Sequence, residues 1–167
     1  ALILIAAVQF FKIGSEQSDK AQHIQSLAIL PLINSDDDPD LNYLTEGIPE
    51  GLINRLSSNP NLRVFSRNAT FTFRDSLQNF SKIYKTLKAD VIFTGQISRL
   101  ADHLILSCQL TNAKTQEQLW GKKIKESAEN IVDVEDALVA SLIDPLQIQL
   151  ISEKEVRGHT VNPEAYT

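Results

Sequence analysis

The sequence predicts an α/β domain in which helices pack on a mixed five-stranded sheet. Leu27–Ile33 is a nearly continuous apolar run, the pattern of a strand buried on both faces. Two segments with helical spacing of apolar residues follow it, and Leu104–Thr111 alternates apolar and polar residues between tight turns. Because strand–helix–strand crossovers join parallel strands and tight turns join antiparallel ones, the predicted order is β-α-β-α-β-β-β-α.

The first crossover contains prolines that limit its elements. Pairing of the first strand is expected to weaken at Pro31, since proline has no N–H to donate. Residues 41–58 have a helical pattern that two glycines and Pro49 interrupt. Proline costs about 3 kcal/mol inside a helix, so the prediction is a short turn at 42–46 and a helix that begins near Pro49. The apolar face of this helix contains Leu52, Ile53 and Leu56.

The second crossover joins a strand at Leu62–Ser66 to a third strand at Ala89–Leu100. A polar and aromatic loop follows the second strand, and Asp75 or Ser76 is expected to cap the next helix. The apolar face of that helix contains Leu77, Phe80, Ile83 or Tyr84, and Leu87.

Two further strands and one helix complete the domain. The strands are predicted at Leu104–Thr111 and Glu117–Glu126, and a tight turn precedes each. Asn130 is expected to cap the last helix, which Pro145 stops or kinks. Residues 145–151 fit either a strand or one helical turn, and the pattern does not choose between them.

Composition and charge argue against a nucleic-acid-binding domain. The 167-residue chain has a formal net charge of −5, whereas phosphate binding requires a concentrated basic face. One dense basic patch, Lys122, Lys123 and Lys125, lies in a predicted strand and is interpreted as a solvated strand face. Cys108 is the one cysteine, so no internal disulfide forms and the fold depends on its core.

No catalytic, cofactor-binding or metal-ligating residues are predicted. The three histidines are far apart in the sequence, and the acidic cluster at 36–40 lacks the ligand spacing of a calcium loop. This cluster is interpreted as a solvated loop that caps the next helix. Cys108 lies on the apolar side of its strand, where a thiol packs as a small hydrophobe. The sequence also lacks a glycine-rich phosphate loop and a nucleophile elbow.

The segment SRNATFTFRD supplies the candidate partner-binding residues, Arg67, Thr70 and Arg74. Two cations and several hydroxyls beside aromatic rings are suited to an anionic or peptide contact surface. In the alternative interpretation, Phe71 and Phe73 plug the edge of the core and the segment has a structural role.

The chain opens with the apolar run ALILIAAVQFF, which is shorter than the roughly 20 residues of a membrane-spanning helix. Three interpretations stay open: the end of a transmembrane helix, the remnant of a signal peptide, and a packing segment of a soluble domain. The polar stretch that follows fits an exposed linker.

Several structural segments carry a family likeness: DPDLNYLTEGI, GLINRL, LRVFSR, FTFRD, ADVIFTGQISRL and LTNAKTQEQLW. They resemble the TolB amino-terminal-like domain of bacterial adenylate cyclases, serine/threonine kinases and transmembrane transcription regulators. The likeness covers roughly residues 26–150. Pro49 departs from the family, which commonly has an ordinary helix former at this position, so the likeness leaves the first half of that helix open.

The resemblance implies an extracytoplasmic α/β domain without known catalytic residues and without a cofactor. In that family the domain often follows a single transmembrane helix and precedes tetratricopeptide repeats. The expected division is therefore the end of a membrane helix plus linker at 1–25, the TolB amino-terminal-like domain at 26–151, and a linker into helical repeats at 152–167.

The predicted function is a non-enzymatic sensory or protein-interaction module of a bacterial signalling protein. It would be anchored in the inner membrane with the domain in the periplasm, bind a protein partner, and be a monomer or a weak homodimer. One alternative is a small-ligand binder or enzyme with a pocket after Ile33, Ser66 and Gln96, at the carboxyl ends of the parallel strands. Another is an envelope structural protein that pairs through an exposed strand edge.

Overall fold

The computed structural model describes residues 24–146 and contains a six-stranded mixed sheet with helices packed on it. The strands are β1 Ser26–Ile29, β2 Ile33–Asn34, β3 Arg63–Val64, β4 Val91–Leu100, β5 His103–Asn112 and β6 Gln118–Ser127. The α-helices are α1 Leu44–Leu56, α2 Arg67–Thr70, α3 Phe80–Leu87 and α4 Ile131–Leu142. Two 3₁₀ helices lie at Pro39–Leu41 and Phe71–Ser76.

The sheet has the predicted mixture of parallel and antiparallel pairs. Its order is β3-β1-β4-β5-β6, with β2 also paired to β4. The pairs β1–β3, β1–β4 and β2–β4 are parallel, while β4–β5 and β5–β6 are antiparallel hairpins. The predicted α/β class and mixed sheet are therefore confirmed.

The segment predicted as the first strand forms two separate strands in the structure, so the sheet has six strands and not the predicted five. β1 ends at Ile29, two residues before Pro31, and the chain returns to the sheet as β2 at Ile33. Both pieces pair with β4, and the Leu30 N–H still donates to the Phe93 carbonyl at 3.1 Å. Pro31 therefore weakens the pairing as predicted, because it interrupts the row of backbone donors.

Helix α1 begins at Leu44, so the prediction of a separate turn and a helix that starts near Pro49 is wrong. Pro49 lies inside the helix and is buried. Its missing N–H would have paired with the Thr45 carbonyl, four residues earlier. That carbonyl instead accepts the N–H of Leu32 at 2.8 Å, so a contact from another part of the fold satisfies it. The predicted face of Leu52, Ile53 and Leu56 is buried.

The region predicted as a loop after the second strand is helical. Arg67–Thr70 forms α2, and Phe71–Ser76 continues it as a 3₁₀ helix. The predicted cap of the following helix is also wrong, because the chain does not enter α3 at Asp75 or Ser76. Asn79 is the cap, since its side-chain oxygen accepts from the Lys82 N–H at 3.0 Å.

Two apolar clusters cover opposite faces of the sheet. On one face, Phe93 and Leu106 pack with Leu52 of α1 and Leu138 of α4. On the other face, α3 covers only the amino-terminal end of β4, where Ile83 packs near Ile92. Farther along β4 and β5 this second face is open, and Leu100 at the hairpin tip is 61% exposed.

The last helix follows the prediction. The Asn130 side chain accepts from the Val132 N–H at 3.1 Å and caps α4. Val134, Leu138 and Leu142 are buried, and the helix ends before Pro145. Between Ile24 and Leu146, no helix is both long and apolar enough to cross a membrane. The expectations for 1–23 and for 147–167, including most of the undecided stretch 145–151, fall outside the described residues.

Candidate partner-binding surfaces

The candidate residues Arg67 and Arg74 meet at one carboxylate. Glu46, in the first turn of α1, places Oε2 at 2.7 Å from Arg67 Nη2 and Oε1 at 2.6 Å from Arg74 Nη2. Arg67 also reaches Glu50, with Nε and Oε2 3.2 Å apart. Two arginines and two glutamates therefore form one ion-pair network in which each arginine already has a carboxylate partner.

The third candidate, Thr70, lies behind this network. Thr70 is completely buried, and its hydroxyl donates to the backbone carbonyls of Ser66 and Arg67 at 3.3 and 3.4 Å. Phe71 and Phe73 are also buried, one in each apolar cluster, and the Arg67 guanidinium lies 4.6 Å from the Phe71 ring centroid. The two phenylalanines therefore pack at the edge of the core, and the two arginines lie outside them at the protein surface.

The acidic loop has the structural role predicted for it. Asp38 accepts from the Asp40 N–H at 3.0 Å and so caps the first 3₁₀ helix. Asp36 accepts from the Arg99 backbone N–H at 2.8 Å, and Asp38 pairs with the Arg99 side chain at 3.2 Å. Within residues 24–146 there is no group of three or more His, Cys, Asp or Glu side chains that could hold a metal ion.

Cys108 lies on the packed side of β5, as its alternation predicts. Burial raises the pKa of its thiol to about 12, because desolvation disfavours the thiolate. The thiol is therefore protonated at neutral pH, whereas nucleophilic cysteines require the thiolate.

The outermost strand on one side of the sheet, β6, has a long free edge. β6 pairs with β5 along one edge, and no other strand among the described residues pairs with its second edge. Lys122, Lys123 and Lys125 are exposed on this strand. The sequence revealed the lysines, but their position at an edge depends on the strand order, which the sequence pattern did not fix.

The open face of the sheet contains a cavity of about 400 Å³. Ile33 and Gln96 line it, whereas the small-ligand alternative placed its pocket after these two residues and after Ser66. Its other polar groups come from Gln78, just before α3, and from the three strands β4, β5 and β6. No local sequence pattern connects such residues, so sequence reasoning missed most of them.

Comparison with curated proteins identifies a partial relative. The chain is 28% identical over 144 residues to "Putative adenylate cyclase 3" of Rhizobium meliloti (strain 1021). The match covers 84% of this chain and 24% of that protein, so the chain spans about a quarter of its length. No protein-family model matches the sequence.

Solved structures with the same fold include TolB from Acinetobacter baumannii and the LpoB C-terminal domain from Escherichia coli. TolB superimposes with a TM-score of 0.55 at 18% identity over 74% of this chain and 28% of TolB. The LpoB domain superimposes with a TM-score of 0.51 at 22% identity over 71% of this chain and 94% of that domain. The fold is thus shared with a TolB protein and with an almost complete LpoB domain.

Proposed function

We propose that this chain is a non-enzymatic protein-interaction module that binds an acidic partner along the free edge of β6. The observation that carries the proposal is that β6, a strand of ten residues, is last in the sheet order. One of its edges therefore has no partner strand among the described residues. A free edge presents backbone N–H and C=O groups that can pair with an extended segment of another protein.

Charge indicates the chemistry of the partner. β6 contains three lysines and one glutamate, so its net charge is +2, although the chain as a whole is at −5. None of these lysines forms an ion pair with a described carboxylate, and Lys122 donates to the Ser141 hydroxyl at 2.9 Å. An acidic strand laid on this edge would supply the carboxylates that the chain does not.

The same charges disfavour a second copy as the occupant. Pairing β6 with β6 of another molecule would bring lysines of the two copies together, and like charges on neighbouring strands are destabilising. The edge lysines therefore protect the chain from pairing with itself while leaving the edge available to an acidic segment. A monomer in solution, or a weak dimer through another surface, is consistent with this arrangement.

The setting that we propose for the module is a membrane-anchored bacterial signalling protein, with the domain on the extracytoplasmic side. Residues 1–25 would contain the end of a membrane helix and a linker, 26–151 the TolB amino-terminal-like domain, and 152–167 a linker into tetratricopeptide repeats. Similarity to a protein named as an adenylate cyclase supports the signalling assignment. A partner transmits a signal only if it binds one arrangement of the module more tightly than another.

The proposal includes the absence of catalysis by this chain. The purified 167-residue chain, incubated with nucleotides and with ester and peptide substrates, is expected to form no product above the rate without protein. Sustained product formation that scales with protein concentration would refute the proposal.

Site-specific photo-crosslinking in cells tests the docking edge. A crosslinker is placed at Leu119, which is 44% exposed on β6, and in a matched variant at Lys85, which is exposed on α3. In the full-length protein, position 119 is expected to form a discrete adduct that position 85 does not form. The same adducts at both positions, or none at 119, would contradict the assignment of the edge.

A further inference from the structure

The cavity on the open face of the sheet lies where β2, β4, β5 and the start of β6 meet the amino-terminal end of α3. Its volume of about 400 Å³ is within the range of small-molecule sites, roughly 300–1,000 Å³. The cavity lies on the opposite face of the sheet from α4, and Gln118, the first residue of β6, contributes to its lining. Its lining residues are uncharged.

Amide and hydroxyl groups from separate elements converge on this cavity. Gln78 precedes α3, Thr94 lies on β4, Gln109 lies on β5, and Gln118 starts β6. Within residues 24–146 the side chains of these four residues make no hydrogen bond, and the Thr94 hydroxyl oxygen is buried without a partner. The three glutamine amides supply donors and acceptors that a bound molecule can use, and the Thr94 hydroxyl adds another once its side chain turns toward the ligand.

Apolar groups form the remaining wall. Pro31, Ile33, Leu77 and Phe80 line the same cavity, so a ligand would contact apolar groups, including an aromatic ring, as well as amides. A wider depression continues from these residues toward Arg74 and Ser81 and shares Ile33, Leu77, Gln78 and Phe80 with the cavity. The site is therefore open at one end to a ligand longer than the cavity itself.

We infer that this cavity binds an uncharged sugar, either a monosaccharide or the end of a neutral oligosaccharide. Sugar hydroxyls donate and accept, and so do the side chains of glutamine and threonine. The C–H faces of a pyranose ring are apolar and pack against rings such as Phe80. Inside the cavity a charged ligand would lose its hydration without gaining an ionic partner, since Arg74 and Asp75 line only the wider depression. A purely apolar ligand would leave the amides unpaired.

Thr94→Val is the sharpest variant, because it replaces a buried, unpartnered hydroxyl with a methyl group of similar shape. The fold should be retained or slightly stabilised, since an unsatisfied buried polar group is removed. Loss of one neutral hydrogen bond is expected to weaken sugar binding about fivefold. Thr86→Val on α3 is the matched control, since Thr86 does not line the cavity.

Binding is measured by amide chemical shifts of the 167-residue chain titrated with glucose, cellobiose and N,N′-diacetylchitobiose, and with glucuronate as the charged comparator. At least one neutral sugar is expected to shift amides of β4 and β5 around Thr94 and Gln109 in a saturable manner, more tightly than glucuronate.

Gly121→Ala is a second variant that tests the same inference. A Cβ at Gly121 would stand 2.6 Å from Gln118 Nε2, so the substitution displaces that amide while the strand stays in place. It should also weaken sugar binding, whereas Gln25→Ala, outside the cavity, should not. Absence of saturable shifts with every neutral sugar, tighter binding of glucuronate, or unchanged affinity in both Thr94→Val and Gly121→Ala would overturn the inference.

Discussion

The backbone N–H of Leu32 donates to the Thr45 carbonyl at 2.8 Å. Thr45 is the residue whose carbonyl Pro49 cannot satisfy within α1, because proline has no N–H. Leu32 follows Pro31 in the gap between β1 and β2, where the sheet does not use its N–H. One hydrogen bond thus satisfies both the carbonyl that Pro49 leaves without its helical donor and an N–H that the sheet does not use.

Pro49→Ala is therefore expected to change the free energy of unfolding by less than about 1 kcal/mol. A proline in an ordinary helix interior costs about 3 kcal/mol, but the Thr45 carbonyl already has a donor, and alanine loses the packing of a buried ring. Urea denaturation measures the change. A stabilisation near the full cost would show instead that Pro49 strains the helix.

Glu46→Gln is expected to destabilise the fold more than Glu50→Gln. Glu46 binds both Arg67 and Arg74, whereas Glu50 reaches only Arg67. All four side chains are partly exposed, so the loss at Glu46 should not exceed about 1 kcal/mol. Thermal unfolding of both variants at low and high salt measures it. Equal effects, or effects that do not shrink with added salt, would contradict the network.

Glu135 gives stability a defined pH dependence. Burial of its carboxyl raises its pKa, with Arg55 lowering it and Asp136 raising it to smaller extents. A raised pKa means that the folded state binds the proton more tightly, so the stability that this group contributes is present below its unfolded-state pKa. That contribution is lost as the pH rises through the folded-state pKa.

Glu135→Gln should therefore gain stability relative to the natural chain as the pH rises from about 4 to about 7. Paired urea denaturation curves at the two pH values measure this. The opposite slope would mean that attraction to Arg55 outweighs the cost of burying the carboxylate.

Asp90→Ala is expected to cost about 2 kcal/mol of folding stability. The Asp90 carboxylate accepts from the Gln25 N–H at 3.0 Å and from the Ser26 hydroxyl at 2.8 Å, and the Ser26 oxygen accepts from the Asp90 N–H at 2.9 Å. These bonds join the starts of the parallel strands β1 and β4. Asp75→Ala is a suitable control, because Asp75 has no such bond among the described residues.

The sequence predicted elements whose signals are local. The alternation in Leu104–Thr111 and the cap at Asn130 correspond directly to β5 and α4. The prediction at Pro49 was wrong because a distant group determined the result. The donor for Thr45 comes from Leu32, which no periodicity within α1 reveals, and the preference for Asp75 or Ser76 as a cap overlooked that the chain stays helical to Ser76 before Asn79 caps α3.

The surfaces were harder to predict than the fold. Arg67 and Arg74 were predicted as partner-binding cations, but Glu46, which pairs with both, lies on α1, 21 residues before Arg67 and 28 before Arg74. The cavity depends on glutamines from separate elements, and single glutamines have no pattern that distinguishes them from solvated residues. The β6 lysines become informative only when the strand order places them at an edge.

Charge reversal at the β6 edge tests the central claim most directly. Lys123→Glu with Lys125→Glu should greatly lower the yield of the adduct formed from position 119 in cells, because an acidic partner strand would meet carboxylates. Lys82→Glu with Lys85→Glu, the same change of charge on α3, should leave that yield unchanged. An adduct that persists after reversal at β6, or that falls equally in both double variants, would contradict docking of an acidic partner at this edge.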